Sequence, residues 1–299
     1  MNRFLWLVRR EIWEHKAIWV APAIVIGCLA VIVLTGHAQL GPFGEAGDSR
    51  ILDAPRELHL KLMVIVYAGL AMVTFMVMGI VAFFYAIDSL YADRRDRSVL
   101  FWKSLPLSDA ETVLSKFAVA IVVIPLVALA ASAVAQLVVA AGGSVRLSMS
   151  GLPGGLMWHP DALLGGFAVA FLWCVTAMLW YAPVVGYLML ASAWAPRGPF
   201  LWAVLPPVGL WILERVVVGS EHVGDFITGR LFGLYRLLGQ ESEGEVNRTG
   251  GDLHKIGEVD LVGSLGDFYA SVDLWLGVVA AFLLLAGAMW VRRYRDETS

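Results

Sequence analysis

The sequence predicts an all-α membrane protein, a bundle of six transmembrane helices. Three observations carry that prediction. First, 59% of the 299 residues are hydrophobic and only 16% are charged, with a mean hydropathy of +0.73. Soluble domains run at about 45–50% apolar and about 25% charged, and the excess here is too large for one globular core to hide. Second, the apolar residues gather into blocks of roughly 20, the length a helix needs to cross a hydrocarbon core about 30 Å thick. Third, Lys and Arg collect in alternate connections between those blocks, as residues on the cytoplasmic side do.

The spans expected in order are 17–35, 62–87, 112–141, 162–194, 199–218 and 274–292. The first is charge-free and longer than the apolar core of a leader peptide, about 7–15 residues, and Thr35-Gly36-His37-Ala38 is a poor cleavage site, so it is expected to stay as a span. Pro125 interrupts the third, and Pro183 is expected to kink the long fourth. The fifth carries Pro206 and Pro207, which should break its backbone hydrogen bonding, and it ends at Glu214 and Arg215. That charged pair is the single ionisable candidate within the spans. It reads either as an interfacial pair near the outer end or as part of a pathway or gate.

Six spans put both termini on one side. That side receives Arg3, Arg9, Arg10, Lys16, Arg94, Arg95, Arg97, Lys103, Lys116, Arg197, Arg292, Arg293 and Arg295. The short opposite loops hold Arg50, Arg56, Lys61 and Arg146. Both termini are therefore expected in the cytoplasm, with the protein in the cytoplasmic (inner) membrane. The outer loops 36–61 and 142–160 are rich in Gly and turn residues. The acidic stretch 219–272 is the largest piece outside the spans. Within it, residues 226–238 have the mixed apolar and basic pattern of a helix at the outer interface, or of a short re-entrant helix.

Two cytoplasmic elements say more about function. Residues 1–16 place Leu5, Val8 and Ile12 on one helical stripe with Trp6 and Trp13 beside it, and Arg9, Arg10, Glu11 and Glu14 on a polar face. Such a helix is expected to lie in the lipid headgroup region. Residues 88–111 join spans two and three. There the charged run Asp93-Arg94-Arg95-Asp96-Arg97 leads directly into Val99-Leu100-Phe101-Trp102. A solvated loop has no need of that apolar run, whereas a short helix pressing aromatic side chains into a partner's groove does. Pro106 stops it, and Ser108-x-x-Glu111 has the form of a capping box at the start of the third span. The plainer reading is positive-inside charge followed by a helix cap, with no partner.

Other chemistry is excluded by what the chain lacks. No lysine among Lys16, Lys61, Lys103, Lys116 and Lys255 follows a glycine, so there is no phosphate-cradling G-x-x-x-x-G-K-[ST] loop. His15, His37, His59, His159, His222 and His254 are scattered, there is no H-E-x-x-H, and no G-x-S-x-G marks a serine hydrolase. Cys28 and Cys174 each sit inside an apolar block and offer neither a disulfide nor a metal framework. A net charge of −3 argues against a general affinity for nucleic acid.

With these residues in hand the sequence resembles the permeases of type-2 ABC exporters. The likeness rests on the six-span layout, on Asp93–Arg97, on Leu105-Pro106-Leu107-Ser108, and on Val113-Leu114-Ser115-Lys116. The resemblance implies that 88–111 holds a coupling helix docking on a separate ATP-binding subunit through Asp93, Arg94, Arg95, Asp96, Arg97, Phe101 and Trp102. It implies that residues 1–16 lie along the cytoplasmic membrane face, and that two permeases, identical or related, pair around a central path. ATP and Mg²⁺ would then belong to the partner, with no catalytic site, cofactor or metal on this chain. The stretch 219–272 is longer and more acidic than a minimal re-entrant hairpin in that family. A secondary transporter or channel working alone is the alternative, opposed by the scarcity of intramembrane charge. A membrane enzyme or signalling anchor, sensing through 219–272, is the other.

Overall fold

A computed structural model describes residues 3–35, 56–96, 108–149, 151, 153–234, 266 and 268–295, and among these the regular structure is entirely helical. Helix α1 (Arg3–Glu14) lies ahead of α2 (Ala17–Thr35), with a turn at His15–Lys16 between them. Then come α3 (Arg56–Arg95), α4 (Asp109–Ala118), a π-helical turn (Val119–Val123) and α5 (Ile124–Met149). A 3-10 turn (Gly154–Trp158) leads into α6 (Pro160–Trp180) and α7 (Ala182–Trp194), then α8 (Pro199–Val217). A helix over residues 222–234, α9, precedes the last, α10 (Val272–Arg295). Among the described residues six helices are long and apolar enough to cross a membrane, starting at Ala17, His59, Asp109, Pro160, Pro199 and Val272. The all-helical six-span bundle expected from the sequence is the architecture found.

Two rods are much longer than a bilayer core requires. The α3 helix has 40 residues and the α4–α5 rod 41, each roughly 60 Å at 1.5 Å per residue. Both therefore project beyond the lipid, and residues 88–95 and 109–116 form adjacent stems at one end. Pro125 is accommodated by the π turn just before it, which absorbs the carbonyl that the proline ring would otherwise strike.

The prolines of the later spans act differently from one another. Near Pro183 the fourth span bends at Tyr181, as expected, yet the Tyr181 N–H still donates to the Ala177 carbonyl at 3.0 Å and the Val185 N–H to the Tyr181 carbonyl at 2.9 Å. The loss of backbone hydrogen bonding expected at Pro206 and Pro207 is found, although α8 runs through both. Pro207 leaves the Ala203 carbonyl without its i+4 donor, and the Tyr187 hydroxyl donates to that carbonyl at 2.9 Å instead.

Packing divides into a large apolar core and a smaller one towards the α2 C-terminus. The large core includes Phe75, Met78, Leu90, Val113, Ile124, Trp173 and Met189. The smaller gathers Val33, Met63, Tyr67, Val139 and Met157. Small residues allow close approach where helices cross, as is general in membrane bundles. A Cβ on Gly166 would meet the Tyr67 Cβ, and one on Gly165 the Val64 side chain. Outward-facing positions carry Ile, Leu, Val, Phe and Trp, most of all on α8, where Ala203 is the single buried residue. An apolar exterior of this extent belongs in lipid.

Candidate functional site

The end of the bundle where α1, the stems of α3 and α4, and the tail of α10 converge holds a buried network of charges. Lys116 Nζ lies 2.8 Å from Glu11 Oε1 and 3.4 Å from Asp93 Oδ1. Arg292 Nη1 lies 3.0 Å from Asp93 Oδ2, and its Nε lies 3.2 Å from Asp109 Oδ1. The Tyr85 hydroxyl donates to Glu11 Oε2 at 3.0 Å, and His15 Nε2 stands 3.6 Å from the same oxygen. Glu11, Lys116, Asp93 and Arg292 are only 3%, 3%, 6% and 5% exposed. Burial pushes the Glu11 carboxyl upward, but the neighbouring His15 imidazole and the Lys116 ammonium outweigh it and hold the group at about 2.

Local sequence explains why these charges are inside. Glu11 follows buried Leu7 by four residues, Lys116 follows Val113 by three, Asp93 follows Leu90 by three and Arg292 follows Ala288 by four. Each therefore sits on the buried stripe of its own helix. Four helices bring their charged positions to one level, where each charge finds an opposite one. The expected polar face of α1, which contained Glu11, is corrected accordingly: Glu11 packs inward with Leu7, while Leu5, Trp6 and Trp13 face outward. The Arg9 guanidinium lies over the Trp6 and Trp13 rings.

The residues expected at the ATPase contact fall into three groups. Asp93 and Arg94 turn towards the bundle. Arg94 Nη2 donates to the Ser192 carbonyl at 2.6 Å and the Ala195 carbonyl at 2.9 Å, both at the C-terminal end of α7. The Ser192 hydroxyl in turn accepts from the Leu90 and Tyr91 N–H groups. Arg95 and Asp96 are exposed, 3.0 Å apart. Arg97, Phe101 and Trp102 lie outside the described residues. The capping box is present: the Ser108 hydroxyl accepts from the Glu111 N–H, and the Glu111 carboxylate accepts from the Ser108 N–H at 2.9 Å.

At the other candidate site, Glu214 and Arg215 serve different neighbours. Glu214 accepts from the His222 and Val223 N–H groups at 3.0 and 2.7 Å and from the Ser220 hydroxyl at 2.6 Å, capping the start of α9. Arg215 lies 3.3 Å from Glu221. The far end of α9 is held by the bend of the fourth span. Trp180 Nε1 donates to the Arg230 carbonyl and the Tyr181 hydroxyl to the Leu231 carbonyl. The Arg230 guanidinium stacks 4.1 Å from the Trp180 ring and donates to the Asp273 carbonyl. Trp180 is past the midpoint of the α6–α7 rod, so α9 reaches well down the side of the bundle. Of the helix expected over 226–238, the part beyond 234 lies outside the described residues.

Sequence reading missed the network of Glu11, Tyr85, Asp109, Lys116 and Arg292. The signal was available: a charged residue three or four positions from a core residue on an apolar stripe.

The fold defines a multi-pass helical membrane protein whose polar machinery is concentrated at one end. Residues 58–158, about a third of the chain, match the family described as ABC-2 family transporter protein. That stretch covers spans two and three and the segment between them, where the resemblance to type-2 ABC permeases was read, and it supports a membrane permease of an ABC transporter. No curated protein and no solved structure matches the chain.

Proposed function

We propose that this chain is the membrane-spanning subunit of an ABC exporter, moving its substrate across the cytoplasmic membrane with ATP hydrolysed by a separate subunit. The observation that carries this reading is the pair of projecting stems, 88–95 and 109–116, standing on either side of the charged and aromatic segment 96–107 within the matched stretch. Exposed Arg95 and Asp96, with Arg97, Phe101 and Trp102, form the docking face. Asp93 and Arg94 act behind it by fixing the stem to the bundle. The ATPase carries ATP and Mg²⁺. Both termini lie in the cytoplasm, α1 rests on the headgroups through Leu5, Trp6 and Trp13, and a second permease copy completes the path. The helix α9 is a re-entrant element, and Glu214 holds its entry near the exit of that path.

The test is capture of the ATPase. Arg97→Ala combined with Trp102→Ala should reduce co-purification of a nucleotide-hydrolysing subunit by at least about tenfold, since losing a buried aromatic anchor costs about 2 kcal/mol or more. Undiminished capture with undiminished ATP turnover would refute the docking face.

A further inference from the structure

We propose that Arg292 is a positioning residue that makes the last span follow the partner-docking segment. The inference rests on the reading of this chain as an ATPase-driven permease. One guanidinium grips both stems: Nη1 is on Asp93, in the last turn of α3, and Nε is on Asp109, in the first turn of α4. These carboxylates flank the segment that would receive the push. The stems cannot be displaced together without carrying Arg292 and the end of α10 with them. They also cannot separate without Arg292 releasing one of its two carboxylates and Lys116 losing Asp93.

The second branch extends the same grip. Lys116 sits about two turns further along α4 and joins Asp93 to Glu11, so α1 is drawn into the same rigid knot. Geometry makes arginine the suitable residue. Its planar fork presents N–H groups along two edges at fixed angles, whereas a lysine ammonium is a single point charge on a flexible stem. Further along, α10 packs on α7 where Gly186 meets Ala281 and Leu284, and its first turn carries the Asp273 carbonyl that accepts from Arg230. A displacement entering at Arg292 therefore has a continuous helical path to the seat of α9.

The experiment uses the full chain, with Cys28 and Cys174 replaced by alanine and single cysteines at Leu34 and Val272 spin-labelled. It is then reconstituted in lipid nanodiscs with the ATP-hydrolysing subunit that co-purifies with it. The distance between the α2 and α10 labels is measured before and after ATP plus vanadate. The parent chain should show a nucleotide-dependent shift. Asp109→Asn, at the more exposed end of the grip, should keep assembly and ATP hydrolysis but lose that shift, and Arg292→Lys should restore thermal stability relative to Arg292→Gln without restoring it.

A merely structural anchor predicts the opposite: a lower melting temperature with the shift intact in the assembled fraction. That result, or no shift in the parent complex, overturns the inference while leaving the ATPase partnership standing. Failure of the parent chain to capture any nucleotide-hydrolysing subunit removes both.

Discussion

Glu11 is a buried carboxylate, held by an ammonium and a phenol from two other helices and an imidazole from the turn after its own. Holding its carboxyl at about 2 rather than 4.5 corresponds to about 3 kcal/mol of stability when it is ionised. The folded value is depressed, so this contribution is complete above 4.5 and is lost as the pH falls from there towards 2. Glu11→Gln should therefore lower the stability of the detergent-solubilised chain by about 3 kcal/mol at pH 7. Below pH 4.5 the two proteins should converge. Thermal melts across pH check this, and a gap that stays constant as the pH falls from 4.5 towards 2 would contradict the stabilisation of the ionised carboxylate. Lys116→Met is the harsher change, because Glu11 and Asp93 would then face each other across a buried site, at a cost of about 3–5 kcal/mol.

Among the elements, the α3–α6 crossing depends on the absence of side chains. Gly165 and Gly166 lie against Val64 and Tyr67, and a methyl at Gly166 would approach the Tyr67 Cβ to 2.5 Å. Tyr67 cannot swing away, since its Cβ is fixed to the backbone and its hydroxyl donates to the Met157 carbonyl at 2.9 Å. Gly166→Ala should cost about 1–3 kcal/mol by forcing the helices apart. Gly79→Ala, on α3 with nothing within 4 Å of the added carbon, should cost nothing. Melting temperatures of the two variants separate steric packing from helix propensity. The elements themselves were legible in the sequence because their signals are local: runs of apolar residues, the bend near Pro183, and the Ser108 cap with Glu111 three residues on. The donor that satisfies the Ala203 carbonyl opposite Pro207 was not, since it is a tyrosine from the preceding span. Nor was the ionic network, in which Tyr85 and Glu11 are 74 residues apart and Arg292 and Asp93 are 199 apart. Lys116 and Arg292 were counted with the cytoplasmic charges, because a rule counting basic residues does not distinguish a buried one.

For the whole molecule, charge and geometry make one orientation testable. Contacts among α1, the α3 and α4 stems and the α10 tail put Arg3, Arg9, Arg10, Lys16, Arg94, Arg95, Lys116, Arg292 and Arg293 at one end of the bundle. The opposite end, where the Arg146 guanidinium donates to the Val33 carbonyl, carries Arg56, Lys61, Arg146 and Arg215 among the described residues. The richer end should face the cytoplasm, although two of its cations are spent internally on Glu11, Asp93 and Asp109. The remaining excess still favours that side, because Arg3, Arg9, Arg95 and Arg293 stay exposed. In a chain lacking Cys28 and Cys174, Met149→Cys should react with a membrane-impermeant maleimide added to intact cells, and Asp96→Cys should react only after the membrane is opened. Labelling of Asp96→Cys from outside would invert the bundle, put the stems and the segment between them beyond reach of any cytoplasmic ATPase, and leave the buried charges as a structural clamp alone.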